Sequence, residues 1–498
     1  MNTYDQLHER MKELQYLQSA IATLQWDQEV YMPSQAVTFR SQQLAQLSSW
    51  AHERFVAPEM GQLLNHLAKQ DLDDNQRINV LRSQEDYEKE IKLSSPFVKK
   101  RSAAISTAYS SWVKAREEGK ASIFLKDFEP LLDIKREEAE LRGYEEHPYN
   151  ALFDLFEPGM TVADLDRLFG TFKQQVGPIK ERVLQLQEDH TDSLHSRVPE
   201  ETQWAFGLEV LEQMGFSFER GRQDKSHHPF TISLAPNDIR VTTRVDENDF
   251  SNMLWSCIHE GGHALYEQGL PKNKYLALPL SEAASLSIHE SQARLWENQI
   301  GRSIPFWKFL FPKLVKSYSP AFKGTSLPQF LKAINYIQPN TIRTEADELH
   351  YHQHIIIRYE IEKQLMSGKL EIEDVEEYWN QAYYEELNIE VKHPKEGVLQ
   401  DVHWAHGGIG YFPTYTIGSF YAAQFHQQMS REIGNLDNDI ENGNFSEVLL
   451  WLQSNIYKHG RRYKSPELCQ NICDQPLSAR PFLKSFEDKI EKIYQLKA

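Results

Sequence analysis

Cysteine is nearly absent from this chain. Three thiols among 498 residues cannot form a disulfide framework: Cys257 stands alone, and Cys469 and Cys473 sit one helical turn apart with no second pair elsewhere. A structural zinc site wants four soft ligands, so the thiols are expected to be buried or idle in a reducing compartment. Positive charge is also scarce. Lys and Arg number 54 against 72 Asp and Glu, a formal net charge of −18. That balance argues against a nucleic-acid binder, which needs a basic footprint. No stretch approaches the roughly 18 apolar residues of a membrane span, so no membrane partner is expected. The opening Met1 to Arg10 is polar and lacks an apolar core for export, which points to the cytoplasm. There is no repeat of fixed period and no low-complexity linker. Aromatics are plentiful, with 25 Phe, 22 Tyr and 10 Trp. They can fill a large core, which excludes a disordered chain.

The periodicity is helical almost throughout. Leu7, Met11, Leu14, Leu17, Ile21 and Leu24 recur at steps of three and four, one apolar stripe on a long helix. Leu44, Leu47, Ala51 and Phe55 repeat the pattern. From 70 to 145 the chain is rich in helix-tolerant charged and small residues, with few strong breakers before Pro130. The exception is 228–245. Phe230–Leu234 and Ile239–Val245 are β-rich and flank Pro236-Asn237-Asp238, a hairpin signature. Helices resume from about 250, with breaks near Gly269-Leu270-Pro271, Gly301, Gly324, Gly368, Gly407-Gly408 and Pro466. Without a linker, residues 1–498 read as a single domain, with a helical part over about 1–225 and a chemically richer part over about 226–498.

Residues 259–263 read His-Glu-Gly-Gly-His. In a helix, positions i and i+4 share a face, so His259 and His263 can grip one Zn²⁺ while Glu260 reaches a water in an open coordination position. The metal lowers the pKa of that water and the carboxylate accepts its proton. Gly261 and Gly262 each cost about 1 kcal/mol against Ala inside a helix. They make sense if something must approach the backbone closely. A catalytic zinc needs a third protein ligand. The next helical pattern, starting between Ser281 and Ser287 and running to Gly301, holds His289 and Glu290. Glu290 lies far enough from His263 for a loop and an antiparallel return helix. Its structural rival role is a capping box with Ser287, and His289 is the rival ligand. His350 and His354, again one turn apart, form a weaker candidate pair.

These residues belong to a series of motifs in order. His228-Pro229-Phe230 reads HPF, and Asp238 to Thr242 reads DxRxT. His259 to His263 reads HExxH, and His289 to Gln292 reads HESQ. Ile342 to Asp347 gives Ile-Arg-x-x-Ala-Asp, and Gly397 to Trp404 gives GxxQDxHW. The chain resembles the thermostable-carboxypeptidase family of zinc carboxypeptidases, the M32 metallopeptidases, over nearly its whole length. One minor departure is Ala293, where Ser is expected. The resemblance implies a mostly α, saddle- or clam-shaped body with a deep cleft and a small hairpin or sheet beside the zinc helix. It implies one zinc per chain on His259, His263 and Glu290, with another divalent ion such as Co²⁺ able to substitute, and Glu260 as base. It also implies a homodimer that removes C-terminal residues with broad specificity. By the same resemblance the motif residues His228, Pro229, Phe230, Asp238, Thr242, Asp347 and Gln400 are substrate-binding.

A carboxypeptidase must hold a free α-carboxylate, and arginine offers a planar charged fork for it. Arg343 is the first candidate, with an ion pair to Asp347 as its structural alternative. Arg240 is the second, with a strand salt bridge to Asp238 as its alternative. Thr344-x-x-Asp347 looks able to cap the helix that follows. The hairpin edge suits backbone pairing with an extended peptide. The glycine- and aromatic-rich run 403–415 offers His403, Tyr411 and Tyr415 as donors to an oxyanion. Two rival readings stand beside the carboxypeptidase: an oligopeptidase cutting inside short peptides, and a non-catalytic helical binding protein.

Overall fold

The computed structural model describes residues 3–318 and 321–495. Helices dominate it, and the predicted first helix runs unbroken from Thr3 to Val30. Leu7 and Leu14 of its stripe join Met60, Leu64, Leu67, Leu72 and Val80 in a small core of their own. The helix Val37–Phe55 lies against the first helix but buries none of its residues fully. The main core runs from Ala108 to Ile493 and draws on helices from both sides of residue 225. Pro130 does not end a helix: Ala121–Arg142 continues through it. The neighbouring Phe128, Leu131 and Leu132 are buried, and this packing offsets the backbone bond that a proline forfeits. Pro466 likewise opens the helix Ser465–Cys473 at its first turn instead of breaking one. All three cysteines are buried and free.

The predicted hairpin is present as β2 (Thr231–Ala235) and β3 (Asp238–Thr243), antiparallel, with Thr231 opposite Val241 and Ser233 opposite Ile239. A further strand, β1 (Gly221–Lys225), pairs parallel to the far side of β3. Its sequence Gly-Arg-Gln-Asp-Lys shows no apolar alternation, so periodicity does not reveal it. Gly221 is required there, because a side chain would run into the Ile239 carbonyl. β2 is an edge strand, and the first helix is stitched to it. The Ser19 hydroxyl donates to the Leu234 carbonyl at 2.5 Å. Trp26 lies under the Arg240 guanidinium on β3, 4.2 Å from ring centroid to Cζ.

β2 and β3 also pack on the helix Phe250–Gly269. Asp249 caps its start by accepting from the Ser251 amide, and the chain turns away at Leu270-Pro271. The chain returns as the helix Leu286–Arg294, which continues in a π-helical turn, Leu295–Ile300. The two helices are antiparallel and very close. A methyl at Gly262 would lie 2.6 Å from Ala293 Cα and 2.7 Å from the Gln292 carbonyl, and one at Gly261 would meet Leu211 Cδ2 at 2.7 Å. The paired glycines therefore admit neighbouring helices. Ala293, where a serine was expected, is fully buried at this crossing. Among the described residues, no helix is long and apolar enough to cross a membrane.

Candidate active site

The helix crossing gathers His259, His263 and Glu290, whose ligand atoms all lie within 4.8 Å of one another. Glu290 Oε2 is 3.5 Å from His263 Nε2 and 3.8 Å from His259 Nε2. Three tetrahedral ligands about 2.0–2.1 Å from a zinc ion would stand roughly 3.3 Å apart. Two imidazoles and a carboxylate are also the donor set of catalytic zinc, so the residues fit the ion. Both rings are turned correctly. His259 Nδ1 is held by Glu297 Oε2 at 2.8 Å, and His263 Nδ1 by the His289 carbonyl at 3.0 Å. That leaves each Nε2 for the metal.

The capping rival for Glu290 is not realised. Ser285, not Ser287, caps the return helix, accepting from the Ile288 amide at 3.0 Å, and Glu290 is free to face the histidines. Its stem rests on Gly418 of the helix Pro413–Ile433, where a methyl would come within 2.6 Å of Glu290 Cγ. His289 stands outside this group. It lies behind His263, with Nδ1 2.7 Å from His263 Nδ1 and Nε2 2.8 Å from Glu267 Oε1, and Glu267 is paired with Lys272. His350 and His354 are buried and separately engaged, by Asp347 at 2.6 Å and by Tyr383 at 2.9 Å.

Charge is organised around the triad. Arg294 Nε donates to Glu290 Oε1 at 2.6 Å, and its Nη1 donates to Glu297 Oε2 at 3.2 Å. Burial opposes ionisation of Glu290, but Arg294 and the two histidines outweigh it and hold its pKa far below the ordinary range. Burial likewise opposes a charge on His259, yet Glu290 and Glu297 lift its pKa to about 9. Desolvation dominates at His263 and lowers its pKa. Glu297 and Arg294 escaped the sequence reading. The signal was there: Glu290, Arg294 and Glu297, four and three residues apart, make an acid–base–acid stripe on one helical face. Glu260 is nearly buried beside the triad, with Oε2 accepting from the Thr231 hydroxyl at 2.6 Å.

Beyond Arg294 lies a second polar cluster. The Arg294 guanidinium covers the Tyr351 ring at 4.4 Å, and the Tyr351 hydroxyl accepts from Arg343 Nη1 at 3.0 Å. Arg343 does not pair with Asp347. Its Nε and Nη2 donate to Asp401 Oδ1 at 3.1 and 2.7 Å, while Arg358 Nε donates to Asp401 Oδ2 at 2.7 Å. Two guanidinium charges thus share one carboxylate, whose pKa they depress strongly against the effect of burial. Asp347 instead caps the helix His350–Met366, accepting from the Leu349 and His350 amides, a task expected of Thr344 as well.

The other motif residues are mostly engaged in the scaffold. Gln400 is a clamp: its oxygen accepts from the Arg343 amide, and its nitrogen donates to the Thr341 and Glu396 carbonyls. Arg240 is held bidentately by Asp238 at 2.8 Å, the structural alternative foreseen for it. Thr242 Oγ1 accepts from the Phe230 amide and so ties the His228-Pro229-Phe230 turn to β3. His403 Nε2 is 3.2 Å from the Tyr415 hydroxyl, and its ring lies 5.2 Å from that of Tyr411. Burial lowers the His403 pKa to about 4. Burial raises both tyrosines, with the negative charge of Glu290 adding to the effect. All three groups are therefore neutral near pH 7. Behind this loop, the buried Glu362 accepts from Tyr149, from Trp404 Nε1 and from the Gly410 amide.

Known proteins resemble the chain over its whole length. The chain is 37% identical over 505 residues to thermostable carboxypeptidase 1 of Thermus thermophilus, covering 99% of both chains. It is 35% identical over 500 residues to carboxypeptidase 1 of Bacillus subtilis, covering both completely. The crystal structure of an M32 carboxypeptidase from Deinococcus radiodurans, 34% identical, superposes over the whole of both chains with a TM-score of 0.97. The model of the carboxypeptidase Taq (M32) metallopeptidase family matches residues 6–490. Matched by the family model over nearly its whole length and by full-length relatives, the chain belongs to that family and is a metallocarboxypeptidase.

Proposed function

We propose that this enzyme is a zinc carboxypeptidase of broad specificity, with Glu260 as general base and Arg343 as the anchor for the substrate's terminal carboxylate. The observation that carries the reading is the link from triad to arginine: Glu290 to Arg294, Arg294 over Tyr351, Tyr351 to Arg343. Zinc held by His259, His263 and Glu290 would supply Lewis acidity to the scissile carbonyl and to the attacking water. Glu260 takes the proton of that water and passes it to the departing amine. Arg343 and Arg358, matched by the single carboxylate of Asp401, favour a second anion beside them. His403, Tyr411 and Tyr415 are neutral donors for the oxyanion. The outward edge of β2 offers backbone pairing without reading side chains, which suits broad specificity. The same reading takes the enzyme as a cytoplasmic homodimer, testable by sedimentation.

The test compares peptides with free and amidated C-termini. A charge-assisted bidentate contact contributes about 1.5–3 kcal/mol, roughly ten- to two-hundredfold in discrimination. Arg343→Ala should erase most of the preference with zinc retained. Asp401 stays paired with Arg358, so no buried carboxylate is stranded. Arg343→Lys should recover only part, because a point charge lacks the fork. If Arg240→Ala loses the preference and Arg343→Ala keeps it, the anchor lies on the hairpin. If wild type cuts amidated peptides equally well, an internal-cutting oligopeptidase replaces the reading.

A further inference from the structure

Thr231 follows the His228-Pro229-Phe230 turn and opens the edge strand β2. Thr242 N donates to the Phe230 carbonyl, so residues 230 and 242 form a hydrogen-bonded pair. The antiparallel alternation then turns the backbone N–H and C=O of Thr231 away from β3, toward the open edge. Its side chain points to the neighbouring helix instead. Thr231 Oγ1 lies 2.6 Å from Glu260 Oε2 and 3.0 Å from the Glu260 carbonyl. The hydroxyl has one proton, and the nearer, side-chain oxygen takes it. Glu260 Oε1 accepts from none of the described residues.

A glutamate has three rotatable bonds, and a base must present its oxygen to the water within a few tenths of an ångström. Threonine suits the task of holding it. Its β-branch leaves few rotamers, and the strand beneath it is fixed by its register with β3. We propose that Thr231 is a positioning residue for the general base, pinning Glu260 Oε2 so that Oε1 is the oxygen presented to the attacking water. This rests on the reading of Glu260 as base. It gives the residue after the HPF turn a task in catalysis as well as in the strand.

The experiment uses Thr231→Val, which keeps shape and branching but removes the donor, and Thr231→Ser, which restores it. kcat and KM are measured on a peptide with a free C-terminus, and zinc affinity by chelator competition. The valine variant should lose about tenfold to a hundredfold in kcat, the size of a hydrogen bond to a charged group. KM and zinc affinity should be unchanged, and the serine variant should recover most of the rate. Added to Glu260→Gln, Thr231→Val should cost nothing further, since an amide takes no proton from water however it is held. If the valine variant does not fold, Thr231→Ala is read by the same criteria. Wild-type kcat in the valine variant overturns the proposal. So does a serine variant no better than valine, or a loss that falls on KM or on zinc affinity. Full turnover in Glu260→Gln would remove the base assignment itself. An inactive Glu260→Gln beside a fully active Thr231→Val sinks only the role of Thr231.

Discussion

Replacing Gly262 by alanine sets two effects of opposite sign against each other. Alanine is the better helix former by about 1 kcal/mol, so in an ordinary helix the change would stabilise. Here the new methyl meets backbone, at 2.6 Å from Ala293 Cα and 2.7 Å from the Gln292 carbonyl. Carbon atoms pack at about 3.5–4.0 Å, so the return helix must retreat by roughly 1 Å. Overpacking of this kind costs about 1–3 kcal/mol and outweighs the propensity gain. Glu290 rides on the displaced helix while His259 and His263 do not. A shift near 1 Å is several times the tolerance of about 0.2 Å in a metal–ligand distance. The variant should therefore unfold at lower temperature and bind zinc more weakly, measured by thermal melting and chelator competition. Gly261→Ala is the comparison. Its methyl meets the ends of the Leu211 and Met214 side chains, which can swing aside, so its zinc affinity should stay close to wild type. A Gly262→Ala protein that melts at or above the wild-type temperature with undiminished zinc affinity would refute the argument that the helix crossing sets the ligand spacing.

Three further outcomes follow from the same geometry. Glu290→Gln should weaken metal binding and activity together; full zinc occupancy with normal turnover would exclude it as third ligand. Glu297→Gln should lower zinc affinity about 10- to 100-fold by loosening the His259 ring, and an unchanged affinity in competition titrations would count against that orienting role. Glu362 is buried, and burial lifts its pKa to about 7 although its donors pull it down. A raised carboxyl pKa means that the folded state binds the extra proton, so its contribution is present below the ordinary carboxyl pKa and lost as pH rises toward about 7. The stability of wild type relative to Glu362→Gln should fall across that window, and a difference flat with pH would show that the carboxyl does not titrate there.

The pairing of His259 with His263 was legible because their spacing is a property of one helix: they must share a face whatever packs around them. Glu290 was legible only as one of two neighbours, since the phase of the return helix depends on a cap that lies at Ser285 and not at Ser287. The ion pair that Arg343 makes with Asp401 was not legible for a different reason. Asp347 is near in sequence, but tertiary packing brings Asp401 across from another segment, and local spacing carries no trace of that. Strand β1 was invisible because it is recruited by pairing with β3, and its own residues have no strand pattern. The glycines were read correctly as a close approach, while what approaches could be seen only once the helices were placed.

The stitching of the first helix to the sheet bears on how this enzyme can be engineered. A chain trimmed before Val30 would lose the Ser19 bond to Leu234 and the Trp26 ring beneath Arg240. The Leu234 end of the β2 edge would then lie open as the Thr231 end already does. An open edge is a template for other strands, so such a truncation should self-associate before it unfolds. Fusions and affinity tags belong ahead of the intact first helix, and a shortened catalytic unit needs a substitute cover for that edge.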